Sequence, residues 1–206
     1  MFDLPPPDPG IEIVVASQGM AKGLRQTEGP QVIARPSLAV GRAAFGAYLK
    51  NITSPSAEGE GGIFVGYVAQ FGRVRIAPVA TYKQLVDRTG HPDHDAWEFG
   101  LSVTRSSSRV TPHLSLYYSP DELGSTGESL YAEVGASLRL SPALSASANV
   151  ARRARAGGPD YSAMSAGFSL QAARQLSLEV RYHDTDRSDL GEIYRPRLVA
   201  SFRARF

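Results

Sequence analysis

Arginine recurs at alternating positions near the end of the chain. If Arg195–Phe206 is an extended strand, Arg197, Arg203 and Arg205 share one face, because side chains of a strand point alternately to its two sides. From Leu198 onward, the opposite face carries only apolar side chains. A row of guanidinium groups is hard to bury in a soluble core and easy to place in a water-filled lumen. Such a row would favour the passage of anions.

The same alternation assigns further charged residues to the polar faces of predicted strands. The residues predicted to line a lumen are Arg35, Lys50, Arg75, Glu98, Glu133, Arg139, Arg152, Glu179, Arg181, Arg197, Arg203 and Arg205, and the same parity adds Glu12 and Lys83. Because most of them are basic, we predict an open pore for passive diffusion of small hydrophilic solutes, with a preference for anions. The alternative is a structural barrel without conductance, whose lumen is filled by paired charges.

His113 and Ser115 are two positions apart, and Glu122 and Glu133 are near them in sequence. Serine, histidine and a carboxylate can form a hydrolase site, so an outer-membrane lipid hydrolase is a second alternative. The alternation turns both side chains towards the lumen and away from lipid, which favours simple polar lining. We therefore expect no catalytic residue and no enzymatic activity.

Two predicted loops carry side chains of the kinds that bind metals. His91, Asp93, His94 and Asp95 could suit zinc. The last loop offers oxygen ligands of the kind that calcium prefers, at Asp184, Asp186, Asp189 and Glu192. The spacing of the acidic set is not that of an EF-hand, and solvated loops explain both sets, so we expect no metal and no cofactor.

Period-two alternation dominates the chain, and no sustained helical period is present. Twelve strands are predicted, at about 11–23, 31–40, 43–52, 61–71, 74–83, 96–105, 110–119, 129–140, 143–152, 161–171, 176–184 and 195–206. Short turns alternate with longer loops, at Arg25–Pro30, Thr53–Glu60, Leu85–Asp95, Pro120–Glu128, Arg153–Asp160 and Thr185–Tyr194. This pattern predicts an all-β transmembrane antiparallel up-and-down β-barrel with short periplasmic turns and longer extracellular loops. Residues 11–206 would form this single domain, and residues 1–10 a Pro-rich extended leader.

Aromatic residues on the apolar faces fall at the predicted strand ends. Those at the long-loop ends are Tyr82, Trp97, Tyr118 and Tyr182, and those at the short-turn ends are Phe45, Phe71 and Phe206. Two such belts are typical of aromatic rings at the two membrane–water boundaries, so contact with outer-membrane lipid is expected. The polar faces are crowded with Gly, Ser and Ala, which suits the curved inner wall of a narrow barrel.

The composition of the 206-residue chain narrows the alternatives. No stretch approaches the roughly 18 apolar residues that a membrane-spanning helix needs. The absence of cysteine excludes a disulfide framework and thiolate chemistry. A net charge of +2 is too small to indicate nucleic-acid binding.

Several stretches of the chain resemble the TorF family of porins. They are KGLRQTEGPQVIARPSLAV followed by GRAAFGAYLKNI, YYSPDELGSTGESLYAEVGASLRL in mid-chain, and LSLEVRYHDTD near the end. The likeness runs from about Ile11 to Phe206 and implies a porin-like barrel in the outer membrane of a Gram-negative bacterium. The terminal Phe206 resembles the ending that the barrel-assembly machinery reads during biogenesis, which implies that machinery as a partner.

Overall fold

The computed structural model describes residues 6–54, 57–86, 94–124 and 126–206. The strands are β1 Asp8–Ala16, β2 Met20–Ala21, β3 Leu24–Arg25, β4 Gln31–Val40, β5 Ala43–Ser54, β6 Ala57–Tyr67, β7 Ala69–Phe71, β8 Val74–Val86, β9 Asp95–Arg105, β10 Val110–Glu122, β11 Gly127–Arg139, β12 Leu144–Arg155, β13 Tyr161–Ala173, β14 Leu176–Thr185 and β15 Arg197–Arg205. Two short 3-10 helices, Ser188–Leu190 and Glu192–Tyr194, precede β15. In the described ranges, no helix is long and apolar enough to cross a membrane.

The strands form one antiparallel sheet that closes on itself. Each barrel strand pairs with its sequence neighbours, and the first strand, β1, also pairs with the last, β15. β6 and β7 both pair with β8, on either side of Val68, and together make one strand of the wall. The described part of the chain thus forms a twelve-stranded up-and-down barrel, with β2 and β3 outside its wall. The predicted fold class is confirmed.

The two ends of the barrel differ in their connections. At the short-turn end, tight turns span residues 41–42, 72–73, 106–109, 140–143 and 174–175, between consecutive strands. The opposite end, called the loop end below, has strands longer than the alternation predicted. The predicted loops Thr53–Glu60 and Pro120–Glu128 are therefore too long, because the pairs Ser54–Ala57 and Glu122–Gly127 continue the ladders past those bounds.

The first strand begins and ends earlier than predicted. Asp8 already pairs with Ala39, so Asp8–Gly10 belong to the wall and the predicted leader 1–10 is too long at its C-terminal side. Residues 1–5 of that leader lie outside the described residues. At the other end β1 stops at Ala16, so residues 17–23, predicted as part of the strand, are not in the wall.

The outer face of the barrel is apolar. Cross-strand partners such as Val134 and Val150 both point outward, with 53% and 58% of their surfaces exposed, and Phe168 is 59% exposed. Fully buried side chains such as Tyr161 lie inside the lumen instead. This arrangement inverts that of a soluble protein and is the one that a lipid environment requires.

Inward-facing glycines make room for aromatic rings in the lumen. A Cβ atom at Gly62 would lie 2.6 Å from Cε1 of Tyr48, and one at Gly100 would lie 2.9 Å from Cε1 of Tyr117. Both distances are well inside van der Waals contact, so a larger residue would displace the ring. The small residues of the polar faces therefore have a packing role on the inner wall.

Candidate functional site

A hairpin formed by β2 and β3, residues 20–25, folds from the first loop into the lumen. Its two-residue turn has Lys22 at φ 50° and Gly23 at φ 83°, the left-handed backbone that hairpin turns of this kind need. The hydroxyl of Tyr161 donates a hydrogen bond to the Lys22 carbonyl at 2.6 Å. A Cβ atom at Gly23 would lie 2.5 Å from Cβ of Ala163. The tip of the hairpin therefore lies directly against the inner face of β13.

Apolar packing holds one side of this hairpin. Leu24 forms a buried cluster with Tyr161, Ala163 and Tyr194. The rings of Tyr161 and Tyr194 meet edge to face, with centroids 5.7 Å apart, a favourable aromatic geometry. The cluster joins the first loop to β13 and to the last loop, so three parts of the chain distant in sequence are packed together.

Ion pairs hold the other side of the hairpin, in what we call the Lys22 network. The Lys22 ammonium lies 2.5 Å from Oε2 of Glu98 and also pairs with Glu122. Lys83 lies 3.0 Å from Glu98 and pairs with Glu122 as well, and Nη2 of Arg153 is 3.4 Å from Oε2 of Glu122. All five side chains are at most 15% exposed. Every charge has an opposite partner, which buried charges require.

The hairpin divides the loop-end half of the lumen into two unequal spaces. A cavity of about 700 Å³ lies between the hairpin and the inner face of β4–β10, where its walls include Arg35, Tyr48, Lys50 and Tyr117. A cavity of about 140 Å³ lies on the other side, beside β11–β14. A third space of about 290 Å³ opens at the short-turn end, next to Arg139. The hairpin therefore leaves more space on its β4–β10 side than on its β11–β14 side.

The strand register places most of the predicted lining residues on the inner face. Those facing the lumen are Arg35, Lys50, Arg75, Glu98, Glu133, Arg139, Glu179, Arg181, Arg197, Arg203 and Arg205, together with Glu12 and Lys83. They are not one cluster. Glu98 and Lys83 belong to the Lys22 network at the loop end, whereas Arg75 and Arg139 lie near the short turns. Whether these residues line a conducting path stays a prediction.

The prediction that Arg152 faces the lumen is wrong. It pairs across the sheet with Ala132 and Ser162 and lies two residues from the outward Val150, so it is on the outer face. There it is 3.4 Å from Asp160 and 3.8 Å from Asp186, at the outer rim of the loop end. A hydrogen bond from the Ser162 amide, with Arg152 nearby, lowers the pKa of the Asp186 carboxyl.

Several charged residues of the lumen were not assigned to it from the sequence, among them Lys22, Glu60, Glu122 and Arg153. Lys22 was assigned to the wall, and Glu122 and Glu60 to loops. Arg153 is the neighbour of the wrongly chosen Arg152, and Glu60 lies 3.1 Å from Lys50. The outward valine at position 150 is the signal that could have set the phase of β12 correctly, and the Lys22-Gly23 dipeptide could have indicated a turn.

The predicted interface aromatics all lie on the outer face. Phe45, Phe71, Trp97, Tyr118, Tyr182 and Phe206 are 40–66% exposed, and the ring of Tyr82 packs against that of Trp97 at a tilt of 53°, with centroids 5.4 Å apart. Each tyrosine of the loop-end belt donates its hydroxyl to a carboxylate: Tyr82 to Asp95 at 3.0 Å, Tyr118 to Glu128 at 3.1 Å and Tyr182 to Asp184 at 3.2 Å. These contacts point the polar ends of the rings towards the rim.

The candidate catalytic and metal-binding sets are placed as follows. His113 and Ser115 face the lumen, with Nε2 of His113 3.8 Å from Oε1 of Glu133, and no hydrogen bond joins His113 to Ser115. The zinc-type set includes His91 and Asp93, which lie outside the described residues. Among the residues that are described, no group of three or more His, Asp or Glu side chains could hold a metal ion.

No protein-family model matches the sequence, and no curated protein matches it significantly. Solved structures are similar over almost the whole chain. The KdgM porin superimposes with a TM-score of 0.64 at 10% identity, covering 96% of this chain and 99% of its own. The NanC porin gives a TM-score of 0.62 at 5% identity, covering 95% and 97%. An outer-membrane channel from Pseudomonas putida F1 gives 0.53 at 9% identity, covering 96% and 95%.

Identities this low carry information on the fold alone. That fold, together with an apolar outer face, places the chain in the bacterial outer membrane; in barrels of this kind the short turns face the periplasm and the longer loops face the outside of the cell. The chain is similar to the KdgM and NanC porins in architecture, and its fold is that of an outer-membrane β-barrel of porin type.

Proposed function

We propose that this barrel is a porin-like channel through which small hydrophilic solutes diffuse passively. The observation that carries the proposal is the cavity of about 700 Å³ beside the hairpin, on the β4–β10 side of the lumen. Its charged and hydroxyl-bearing walls suit hydrated solutes better than lipid. The porin fold and the resemblance to the TorF family support the same function. A structure of the KdgM porin contains disordered oligogalacturonate, which is consistent with solute passage in a barrel of this fold.

The channel prefers anions. In the described ranges, Arg75 and Arg139 face the lumen with no ion-pair partner, and Arg203 and Arg205 share the single carboxylate of Glu12. The charges of the Lys22 network are by contrast paired. The periplasmic half of the lumen therefore carries an excess of positive charge, which attracts anions and repels cations.

The test is the reversal potential of the refolded full chain in a planar bilayer with a salt gradient across it. We expect discrete conductance steps and a reversal potential that favours chloride. Arg139→Glu should move the reversal potential towards cation preference, because it reverses an unpaired charge in the lumen. Arg152→Glu is the matched control and should leave it unchanged, because Arg152 lies on the outer face. Chloride preference that is insensitive to Arg139→Glu would contradict the anion mechanism.

A second candidate is a structural barrel that does not conduct. It is favoured by the Lys22 network, which joins the hairpin to β8, β9, β10 and β12 and occupies part of the lumen. Folded protein that inserts into the bilayer and carries no current would favour this candidate over the channel.

The remaining partners belong to the same proposal. The apolar outer face contacts membrane lipid, and the outer-membrane barrel fold implies the barrel-assembly machinery as a partner during biogenesis. The channel is not an enzyme. The esterase activity of the native chain towards outer-membrane lipid should be at the background level, and Ser115→Ala should leave it unchanged. Loss of a measurable activity in this variant would revive the hydrolase hypothesis.

A further inference from the structure

Three arginines converge on one carboxylate in the periplasmic half of the lumen. Nη1 of Arg35 lies 2.9 Å from Oε1 of Glu12, and Nε of Arg205 lies 2.8 Å from Oε2. Nε of Arg203 is 3.7 Å from the same Oε2. These four residues, from β1, β4 and β15, are called the Glu12 cluster below. The register pairs Glu12 directly with Arg35 on one side and with Arg205 on the other, so the sheet itself brings the groups together.

The Glu12 cluster has unsatisfied capacity for an anion. Three guanidinium groups surround one carboxylate, and within the described chain none of them pairs with any other acidic group. Their side chains are 45%, 46% and 65% exposed to the lumen, whereas that of Glu12 is 13% exposed. The contacts to Glu12 involve Nη1 of Arg35 and Nε of Arg203 and Arg205. Planar N–H forks of guanidinium groups bind carboxylates and phosphates in a bidentate manner.

The Glu12 cluster lies between the cavity beside the hairpin and the periplasmic end of the barrel. Arg35 lines the cavity of about 700 Å³ beside the hairpin, whereas Arg203 and Arg205 lie closer to the periplasmic end of the last strand. A solute that leaves this cavity towards the periplasm meets the cluster.

We propose that the Glu12 cluster is a binding site for a small divalent oxyanion, such as phosphate or a dicarboxylate. Glu12 holds the three guanidinium groups together and leaves two positive charges for the ligand. This inference rests on the proposed channel function, but binding to the cluster does not itself require that the lumen conduct.

Binding is measured by isothermal titration calorimetry on the full folded chain in detergent, with inorganic phosphate and with succinate, in a chloride background. In the bilayer, phosphate added to the periplasmic side should reduce the chloride current. Arg203→Gln with Arg205→Gln should weaken phosphate binding by about tenfold or more, because each removes charge-assisted hydrogen bonds. Arg73→Gln with Arg174→Gln is the matched control, since it removes two arginines from the turns at the same end.

Glu12→Gln gives a second, opposite signature. The cluster then carries three positive charges without a carboxylate, so phosphate should bind more tightly than in the native chain. No binding of phosphate or succinate above that of chloride would overturn the proposal, as would an equal loss in the Arg73 and Arg174 control. Phosphate binding without any current would reject the channel and retain the binding site. Current without phosphate binding or block would retain the channel and reject the binding site.

Discussion

Glu122 is the residue whose removal should disturb the lumen most. Its side chain is 7% exposed and contacts the cations of Lys22, Lys83 and Arg153. Glu122→Gln keeps the shape and removes the charge. Among the described residues, Lys22 and Lys83 then share Glu98 alone, and Arg153 has no carboxylate within ion-pair distance. Leaving a buried charge without its partner costs roughly 3–5 kcal/mol, so we expect a loss of that size in the free energy of unfolding.

The assay is urea unfolding of the refolded barrel in lipid vesicles. The fluorescence of Trp97, the one tryptophan of the sequence, reports unfolding because its ring faces the lipid on β9. Heat-modifiable migration in gels gives an independent measure. Asp189→Asn is the matched control: its side chain is 70% exposed and lies 3.6 Å from Arg187. An exposed pair of this kind contributes about 0–1 kcal/mol.

A compensating variant separates charge from packing. Glu122→Gln combined with Arg153→Met removes the cation that the first change leaves unpaired, so more than half of the lost stability should return. If Glu122→Gln destabilises the barrel no more than Asp189→Asn does, the Lys22 network contributes little and the electrostatic reasoning is wrong.

Two further predictions concern the hairpin and the lipid face. Gly23→Val should push the hairpin away from Ala163 and towards the cavity of about 700 Å³, and so lower single-channel conductance, at a cost of about 1–2 kcal/mol for the left-handed backbone; Gly29→Val, with nothing within 4 Å of its Cβ, is the control, and equal conductance in both variants would contradict a solute path beside the hairpin. Val134→Arg, on the outer face in the middle of β11, should cost about 2–4 kcal/mol in vesicles, and Leu130→Arg nearer the loop-end belt about 0–1 kcal/mol. Equal costs at the two depths would argue against the lipid-facing assignment.

The fold could be predicted because lipid imposes a strict rule on every strand. Each segment must alternate between outward apolar and inward polar side chains. In β11, Leu130 and Leu138 point outward and Glu133 and Ser137 point inward, and this alternation is visible in the strand's own sequence without knowledge of the neighbouring strands. An even number of strands also allows the first and last strands to pair antiparallel, as β1 and β15 do. The strand ends were less predictable, because the ladders at Ser54 and Glu122 continue above the apolar band, where alternation is no longer required.

The hairpin could not be predicted from local pattern. Its position depends on the hydrogen bond from Tyr161, a residue 139 positions away, and on ion pairs with Glu98 and Glu122. Local alternation contains no information on such contacts.

The confusion of Arg152 with Arg153 has a different origin. β12 is rich in small residues, so a shift of one position changes the apolar pattern little and reverses the side to which each arginine points.

The pairing of the first strand with the last has a consequence for how the barrel forms. Every other wall contact joins segments adjacent in sequence, and each of those hairpins can form locally. The seam is different: its register runs from Glu12 opposite Arg205 to Ala16 opposite Ser201, so it joins the two extremes of the chain. Closing so long a loop carries the largest chain-entropy cost in the molecule, and non-local pairing of this kind is slow. We therefore expect the seam to close last. The ion pairs of Glu12 with Arg203 and Arg205 then join β1 to β15 and oppose reopening of the finished barrel.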